Sequence, residues 1–304
     1  MKRLGNLSAM LALCGLFFYF LGAAGPVRQA ARKALALCAQ SVIPSMLPFL
    51  VVSDLLISLG LGNLLGRHFA GLMALYHLPG SAATALFLGL LGGCPIGAKT
   101  TAALFRTGAL TEGEARRLLP FVNNAGPVFL ISVLGVGIFQ SLRVGVWLWL
   151  IHLLSALLTG LCFRGEGRPQ RRDSPVCIAA PSLASAVAGA LTRSGGAMLS
   201  ICVCVVFFSV LVSPFARMPG PIGAFLTGLL ELFSMTPHLT ADRPSLVIAS
   251  LCTGWGGLSV LCQTAAILEG TGLPFLPCLK GKAVQGLIAG LLALALSPWI
   301  LPGA

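Results

Sequence analysis

Residues 91–108 read Leu-Gly-Gly-Cys-Pro-Ile-Gly-Ala-Lys-Thr-Thr-Ala-Ala-Leu-Phe-Arg-Thr-Gly, a Gly/Pro cluster and a lysine set inside an otherwise apolar stretch. A helix crossing a bilayer has no reason to carry these residues unless it stops there, because backbone that leaves the helix at membrane depth must be buried in protein or line a cavity. The stretch has a counterpart 164 residues later. Gly256-Gly257, Thr264, Ala266, Leu268 and Thr271-Gly272 repeat Gly92-Gly93, Thr100, Ala102, Leu104 and Thr107-Gly108 at that one offset, and Lys99 aligns with Gln263. In both copies the matching glycines also interrupt an apolar run.

The surroundings decide the class. The chain has 304 residues, is 57% hydrophobic and 9% charged, and has a mean hydropathy of +0.94. That leaves too little polar residue to cover a soluble globule. The apolar runs 4–24, 34–60, 82–110, 119–139, 144–163, 197–215, 246–268 and 283–301 approach the roughly 20 residues a spanning helix needs, and none alternates as a membrane strand does. The expected fold is an all-α multispan membrane protein.

The net charge of +12 sits in the segments between apolar runs. Without interleaved aromatics it points to positive-inside topology and away from nucleic acid. Arg164, Arg168, Arg171 and Arg172 mark one cytoplasmic loop, and Arg106, Arg116 and Arg117 another. Most of the ten cysteines lie in apolar runs, where they act as small hydrophobes; no metal-ligand spacing occurs and no cofactor is implied.

Taken in order, Lys2 and Arg3 followed by a long apolar run suit an uncleaved first helix better than a cleavable signal. Pro44 and Pro48 predict a kinked second helix with Asp54 near its interfacial end. Residues 62–81 suit an interfacial helix and turn. Residues 82–110 are long enough for two short arms folded back at Gly92–Pro95, a re-entrant hairpin. Thr111 with Glu114 three residues on is a capping box. Asn123-Asn124-Ala125-Gly126-Pro127 then places two amides beside a Gly-Pro break inside a span. Either they tie helices together by hydrogen bonds, or they serve a site to which the break adds free carbonyls. His152 reads as a packed core residue. Residues 246–268 form the second hairpin, broken at Gly254–Gly257.

This divides the chain into a first helix and linker (1–33), a first repeat (34–139), a linking span with basic loop (140–183) and a second repeat (184–304). Three crossings separate the hairpins, so they enter from opposite sides. The expectation is an inverted repeat with two re-entrant helical hairpins, both termini cytoplasmic, and a site at the membrane midplane. Lys99, the one cation deep in an apolar run, either snorkels to the interface or faces an anionic group or counter-carboxylate, with Glu231 the best candidate. The candidate site comprises Gly93, Pro95, Lys99, Thr100, Asn123, Asn124, Gly126, Glu231, Gly257, Ser259 and Gln263. Lys280 and Lys282 are read as flanking charges of the last span.

Enzyme chemistry finds no purchase. Gly92–Thr100 superficially resembles a P-loop, but Ala98 separates Gly97 from Lys99. The aspartates Asp54, Asp173 and Asp242 lie at run ends or in loops, and no Ser/His or HExxH constellation occurs.

Gly93-Cys94-Pro95-Ile96-Gly97-Ala98-Lys99, Asn123-Asn124-Ala125-Gly126-Pro127-Val128-Phe129 and Gly254-Trp255-Gly256-Gly257-Leu258-Ser259-Val260 with Gln263 resemble the YlbJ family of sporulation integral membrane proteins over roughly residues 34–300. The resemblance implies membership of the wider nucleoside-recognition, or Gate, domain group. That group is shared with spore maturation proteins, concentrative nucleoside transporters and the membrane part of ferrous iron transporters. It also implies an endospore-forming source and a role in the spore cortex. Cys94 before the proline departs from the expected pattern. A small polar or anionic solute, nucleoside-like by analogy, is the implied ligand of a transporter or channel in the cell membrane. The alternative is a non-transporting scaffold in spore envelope assembly. Membrane lipid is the other expected partner, and a homo-oligomer stays open.

Overall fold

The computed structural model describes residues 2–165, 182–215, 218 and 220–302, and among them every regular element is helical. Arg168, Arg171 and Arg172 of the basic loop lie outside the described residues. Five stretches are long and apolar enough to cross a membrane: Ala24–Leu56, Leu142–Cys162, Leu183–Val212, Arg243–Leu268 and Leu276–Ile300. The chain is a multi-pass membrane protein in which broken helices fill the space between these spans.

Helix α1 (Lys2–Gly22) leans on α2 (Ala24–Leu37), which widens into a π turn at Cys38–Val42 and continues as α3 (Ile43–Ser58) with Pro48 inside it. The π turn includes Val42, just ahead of Pro44. Ser45 donates to the Ser41 carbonyl at 2.5 Å, satisfying backbone near the irregular turn. Two short helices, α4 (Leu61–His68) and α5 (Ala70–Leu75), fill the segment read as interfacial.

Helices α6 (Ala82–Leu91) and α7 (Ile96–Arg106) fold back on one another across Gly92–Pro95, and the Cys94–Pro95 peptide is cis. Small residues make the fold-back possible: a methyl group on Gly89 or on Gly97 would collide with the Val122 carbonyl. The next helix, α8 (Glu112–Val122), begins with the anticipated capping box. Glu114 N–H donates to Thr111 Oγ1 at 3.2 Å, and Thr111 N–H donates to Glu114 Oε2 at 2.7 Å. After α8 the backbone is extended at Asn123 and resumes at Val128–Ile138 as an eleven-residue π-helix. The run 119–139, read as a span holding a Gly-Pro break, is thus two helices joined by Asn123–Pro127.

Helix α9 (Leu142–Cys162) and helix α10 (Leu183–Val212) follow. Arg193 of α10 pairs with Asp54 of α3 at 2.6 Å and donates to Ser58 Oγ at 3.0 Å, tying these two helices together. Helix α11 (Gly220–Leu230) stops at Glu231, and α12 (Leu232–Met235) with the 3-10 turn Thr236–His238 folds back along it, bringing His238 to Gly223. Helices α13 (Arg243–Trp255), α14 (Gly257–Leu268) and α15 (Leu276–Ile300) complete the chain.

Two expectations are corrected here. Arms α13 and α14 do not pack along each other as α6 and α7 do; Arg243–Leu268 is one stretch bent at Gly256, where φ is 91°. The fold-back in the second half lies earlier, at α11 and α12. Counting 246–268 as a crossing also moves the C-terminal end. Arg143, at the start of α9, donates to the Trp299 carbonyl, and Arg243 donates to the Leu301 carbonyl. At the other end of α9, His77 Nδ1 meets the Gly165 carbonyl and Arg117 donates to the His77 carbonyl. Leu301 therefore sits at the opposite end from the basic segment that begins at Arg164, not beside it.

The last helix shows how side is chosen. Leu287, Leu291 and Leu294 stay 62%, 66% and 61% exposed, while Lys282, Gln285, Gly286, Ala289, Gly290, Ala293 and Ser297 are buried against α13, α9 and α8. An apolar outer face with a small, polar inner face inverts the soluble pattern and is how helices pack in lipid.

Candidate functional site

Each half of the molecule contains a fold-back whose tip meets the break of a bent helix. In the first, Gly93, at φ 80°, lies against Gly126: a Cβ there would be 3.1 Å from the Gly126 nitrogen. In the second, Gly257 lies against the end of α11, where a Cβ would sit 3.3 Å from the Leu230 carbonyl and 3.4 Å from that of Gly228. Trp255 fixes this crossing by donating from its indole nitrogen to the Leu229 carbonyl at 3.0 Å. Gly93 and Gly257 thus do not face each other directly, as the 164-residue offset implied. Each belongs to its own crossing, and the two crossings are joined through α7, α14 and the polar residues between them.

The Asn123–Pro127 break frees backbone groups that need partners in a dry interior. Partners for its backbone and side-chain groups come from three other helices. Lys282 of α15 donates to the Asn123 carbonyl at 3.0 Å and to Gln285 Oε1 at 2.8 Å. Gln285 in turn donates to Asn124 Oδ1 at 2.8 Å, and Asn124 donates to the Phe121 carbonyl at 2.8 Å. His152 of α9 accepts the Ala125 N–H at 3.1 Å through Nε2, which assigns its proton to Nδ1. Asn123 donates to Thr264 Oγ1 of α14 at 2.6 Å, a direct bond between the halves, and to Cys94 Sγ at 3.2 Å. Its own Oδ1 is buried without a donor.

Between the crossings lies a cavity of about 50 Å³. Its polar lining is Cys94, Asn123, Asn124, Thr253, Ser259, Gln263, Glu231 and Lys282, and apolar residues such as Phe129, Ile201, Val205 and Phe233 complete the wall. Both charged members are buried, and among the described residues neither joins an ion pair. Glu231 instead caps α12, accepting from Phe233 N–H at 3.0 Å and Ser234 N–H at 2.6 Å. A carboxylate at a helix N-terminus and an ammonium at the end of α8 both sit where the helix dipoles favour them.

Of the sequence-derived candidates, Asn123, Asn124, Gly126, Glu231, Ser259 and Gln263 line this cavity. Gly93, Pro95 and Gly257 are buried and shape the breaks without lining it, and Thr100 is buried on α7 away from it. Lys99 is corrected: it is exposed on the outer side of α7 and meets neither Glu231 nor the cavity. Its sequence surroundings do not fix which face of a short helix arm turns inward, and here Ala98, Ala102 and Thr101 do.

The buried cation is Lys282, with an exposure of 1%. Its signal was in the sequence. Gln285, Gly286, Ala289, Gly290 and Ala293 follow Lys282 at i+3, i+4, i+7, i+8 and i+11, so the lysine lies on the small-residue face of its helix. Starting the last span at Ala283 hid this. Gly281 adds to it, since a side chain there would collide with Pro120 of α8.

The chain is similar to the sporulation integral membrane protein YlbJ of Bacillus subtilis (strain 168), 27% identical over 315 residues, covering 88% of this chain and 77% of that protein. This similarity supports membership of the YlbJ family. No family model matches, and no solved structure does.

Proposed function

We propose, with YlbJ-family membership as the premise, that this protein is a sporulation membrane transporter or channel for a small polar solute, which binds in the cavity between the two crossings. The observation that carries the reading is the joint wall: Asn123 and Asn124 from one break, and Glu231, Ser259 and Gln263 from the other half, meet around one cavity. Irregular backbone at membrane depth is tolerated where it lines such a site, and paired broken helices are how many transporters build one. On this reading the two crossings are the halves of an inverted repeat. The fold-back α6–α7 then corresponds to α11–α12, and the break at Asn123–Pro127 to the bend at Gly256.

The Gate-group analogy carries over as architecture rather than as ligand, because fold alone does not fix substrate.

The test joins two readouts. In a spore-forming host lacking its own YlbJ-family gene, Asn123→Ala and Gln263→Ala should fail to restore spore cortex formation while the protein stays at normal membrane levels. The same variants in vesicles should lose solute flux seen with the unmodified protein. Full complementation by both would leave the envelope-scaffold reading in place of transport.

A further inference from the structure

We infer that the outer face of α7 meets water rather than lipid: it walls a vestibule that enters from the Arg164 end of the molecule and stops at the Gly92–Pro95 tip. This gives the transport reading its side of approach and rests on it only in that respect.

The open end of the α6–α7 fold-back marks its depth. Ser81 Oγ donates to the Ala109 carbonyl at 3.2 Å across that end, and His77, just before it, meets Gly165 and Arg117. The eleven residues of α7, at about 1.5 Å each, carry the tip about 16 Å from there, half of a hydrocarbon layer about 30 Å thick. Lys99 lies seven residues before Arg106, about 10 Å along that arm, and is exposed. Among the described residues it joins no ion pair. Snorkelling does not rescue it. Helix α7 starts at the tip, and the Cα–Cβ bonds of a helix tilt toward its N-terminus, so the lysine leaves the backbone toward the membrane middle and away from the open end. A charge held at that depth against lipid is costly, and water removes the cost.

The surface around Lys99 agrees. Ala103 and Arg106 follow it at i+4 and i+7 on the same face, and both are exposed. From residue 92 to residue 135 no exposed side chain is a large apolar one, whereas Leu199 of α10 and Leu291 of α15 stand 67% and 66% exposed, as lipid-facing residues do. A second charged group lies at the same depth on other helices. Ser53 of α3 approaches Gly92, its Oγ 3.2 Å from where a Cβ would stand, so the adjacent Asp54 is level with the tip. The side chain of its partner Arg193 is 45% exposed. An ion pair half open at that depth needs water for the same reason. The tip is also a wall of the cavity, through Cys94, so the vestibule ends where the cavity begins.

The experiment labels the full chain in sealed vesicles with a sulfonated methanethiosulfonate, a charged reagent that does not cross the bilayer. The thiolate is the reacting form and it arises in water, so the labelling rate reports hydration. Peptide mass spectrometry reads each cysteine separately, so the natural ones stay in place. Lys99→Cys and Ala103→Cys should react at least tenfold faster than Leu199→Cys and Leu291→Cys, and from the same side as Arg164→Cys. Both are single changes at exposed positions, and either one carries the test if the other fails to fold. Rates equal to those of the two leucine positions overturn the inference and place lipid on this face. Labelling from the opposite side overturns it as well. So does slow labelling together with cross-linked dimers through Lys99→Cys, which would place a second copy there. Flux assays keep the two proposals apart: fast labelling without flux of any solute rejects transport alone, while flux with both α7 positions unlabelled rejects the vestibule alone.

Discussion

Replacing Gly97 with alanine adds a single methyl group where the Val122 carbonyl already sits, so the α6–α7 fold-back must shift away from α8. Overpacking of this kind costs about 1–3 kcal/mol. The expected result is a lower melting temperature in detergent and a loss of the Gly93–Gly126 approach. Lys99→Ala, two positions away, should change neither stability, within about 0.5 kcal/mol, nor function, because its side chain is exposed. Complementation assays on the two variants separate a packing position from a free one. Asn123→Ala removes the bond to Thr264 that links the halves, and an interhelical hydrogen bond of this sort contributes about 0.6–1.7 kcal/mol in membrane proteins. Asn123, Asn124, Ser259 and Gln263 were legible because amides and hydroxyls beside a Gly or Pro break have few places to go except inward. Lys99 was misread and Lys282 missed for one physical reason. A charge's sequence depth within an apolar run does not set its face, whereas the spacing of small residues around it does.

At the scale of elements, the caps are the most predictable parts. Thr111→Ala removes one side of the capping box on α8 and should destabilise it by about 1 kcal/mol, seen as earlier thermal loss of helical signal. Asp242 caps α13 by accepting from Ser245 N–H at 2.8 Å, and it also accepts from Thr240 Oγ1 at 2.6 Å. Burial pushes its carboxyl up, but these hydrogen bonds outweigh that and hold it below the ordinary carboxylate value. Its folded pKa is therefore the lower one. The stabilisation is complete above the unfolded value, near about 3.9, and disappears as pH falls through the folded value. Melting temperature should drop on acidification into that range, and Asp242→Asn, which still caps but cannot titrate, should drop less. The breaks were also readable, since Gly92–Pro95, Asn123–Pro127 and Gly254–Gly257 all interrupt helices. Their shapes were not. Gly, Ala, Leu and Thr recur so often in membrane helices that identities at one offset matched a fold-back tip to the bend of a single helix. Only packing distinguishes the two.

For the whole molecule, the number of crossings between landmarks follows from those shapes. If the 164–165 end is cytoplasmic, the end of α15 near Leu301 lies outside, because α10, α13–α14 and α15 each pass once between the ends. A cytoplasm-dependent fluorescent reporter should light when inserted after Gly165 and stay dark when fused at the C-terminus; fluorescence from both would reject this path. Helical class and most spans could be read from composition and run length. The path could not, because one misjudged bend changes the parity of everything after it. The π-wound segment Val128–Ile138 bears on the same architecture. A π-helix is wider and shorter than an α-helix of equal length, and such turns occur mostly singly and near functional sites. Eleven residues of it, directly after the Asn123–Pro127 break and packed on α9, are slack stored in the chain. Rewinding them as α-helix would lengthen the rod and rotate Phe129, which lines the cavity, away from its present facing without breaking a covalent bond or melting a span.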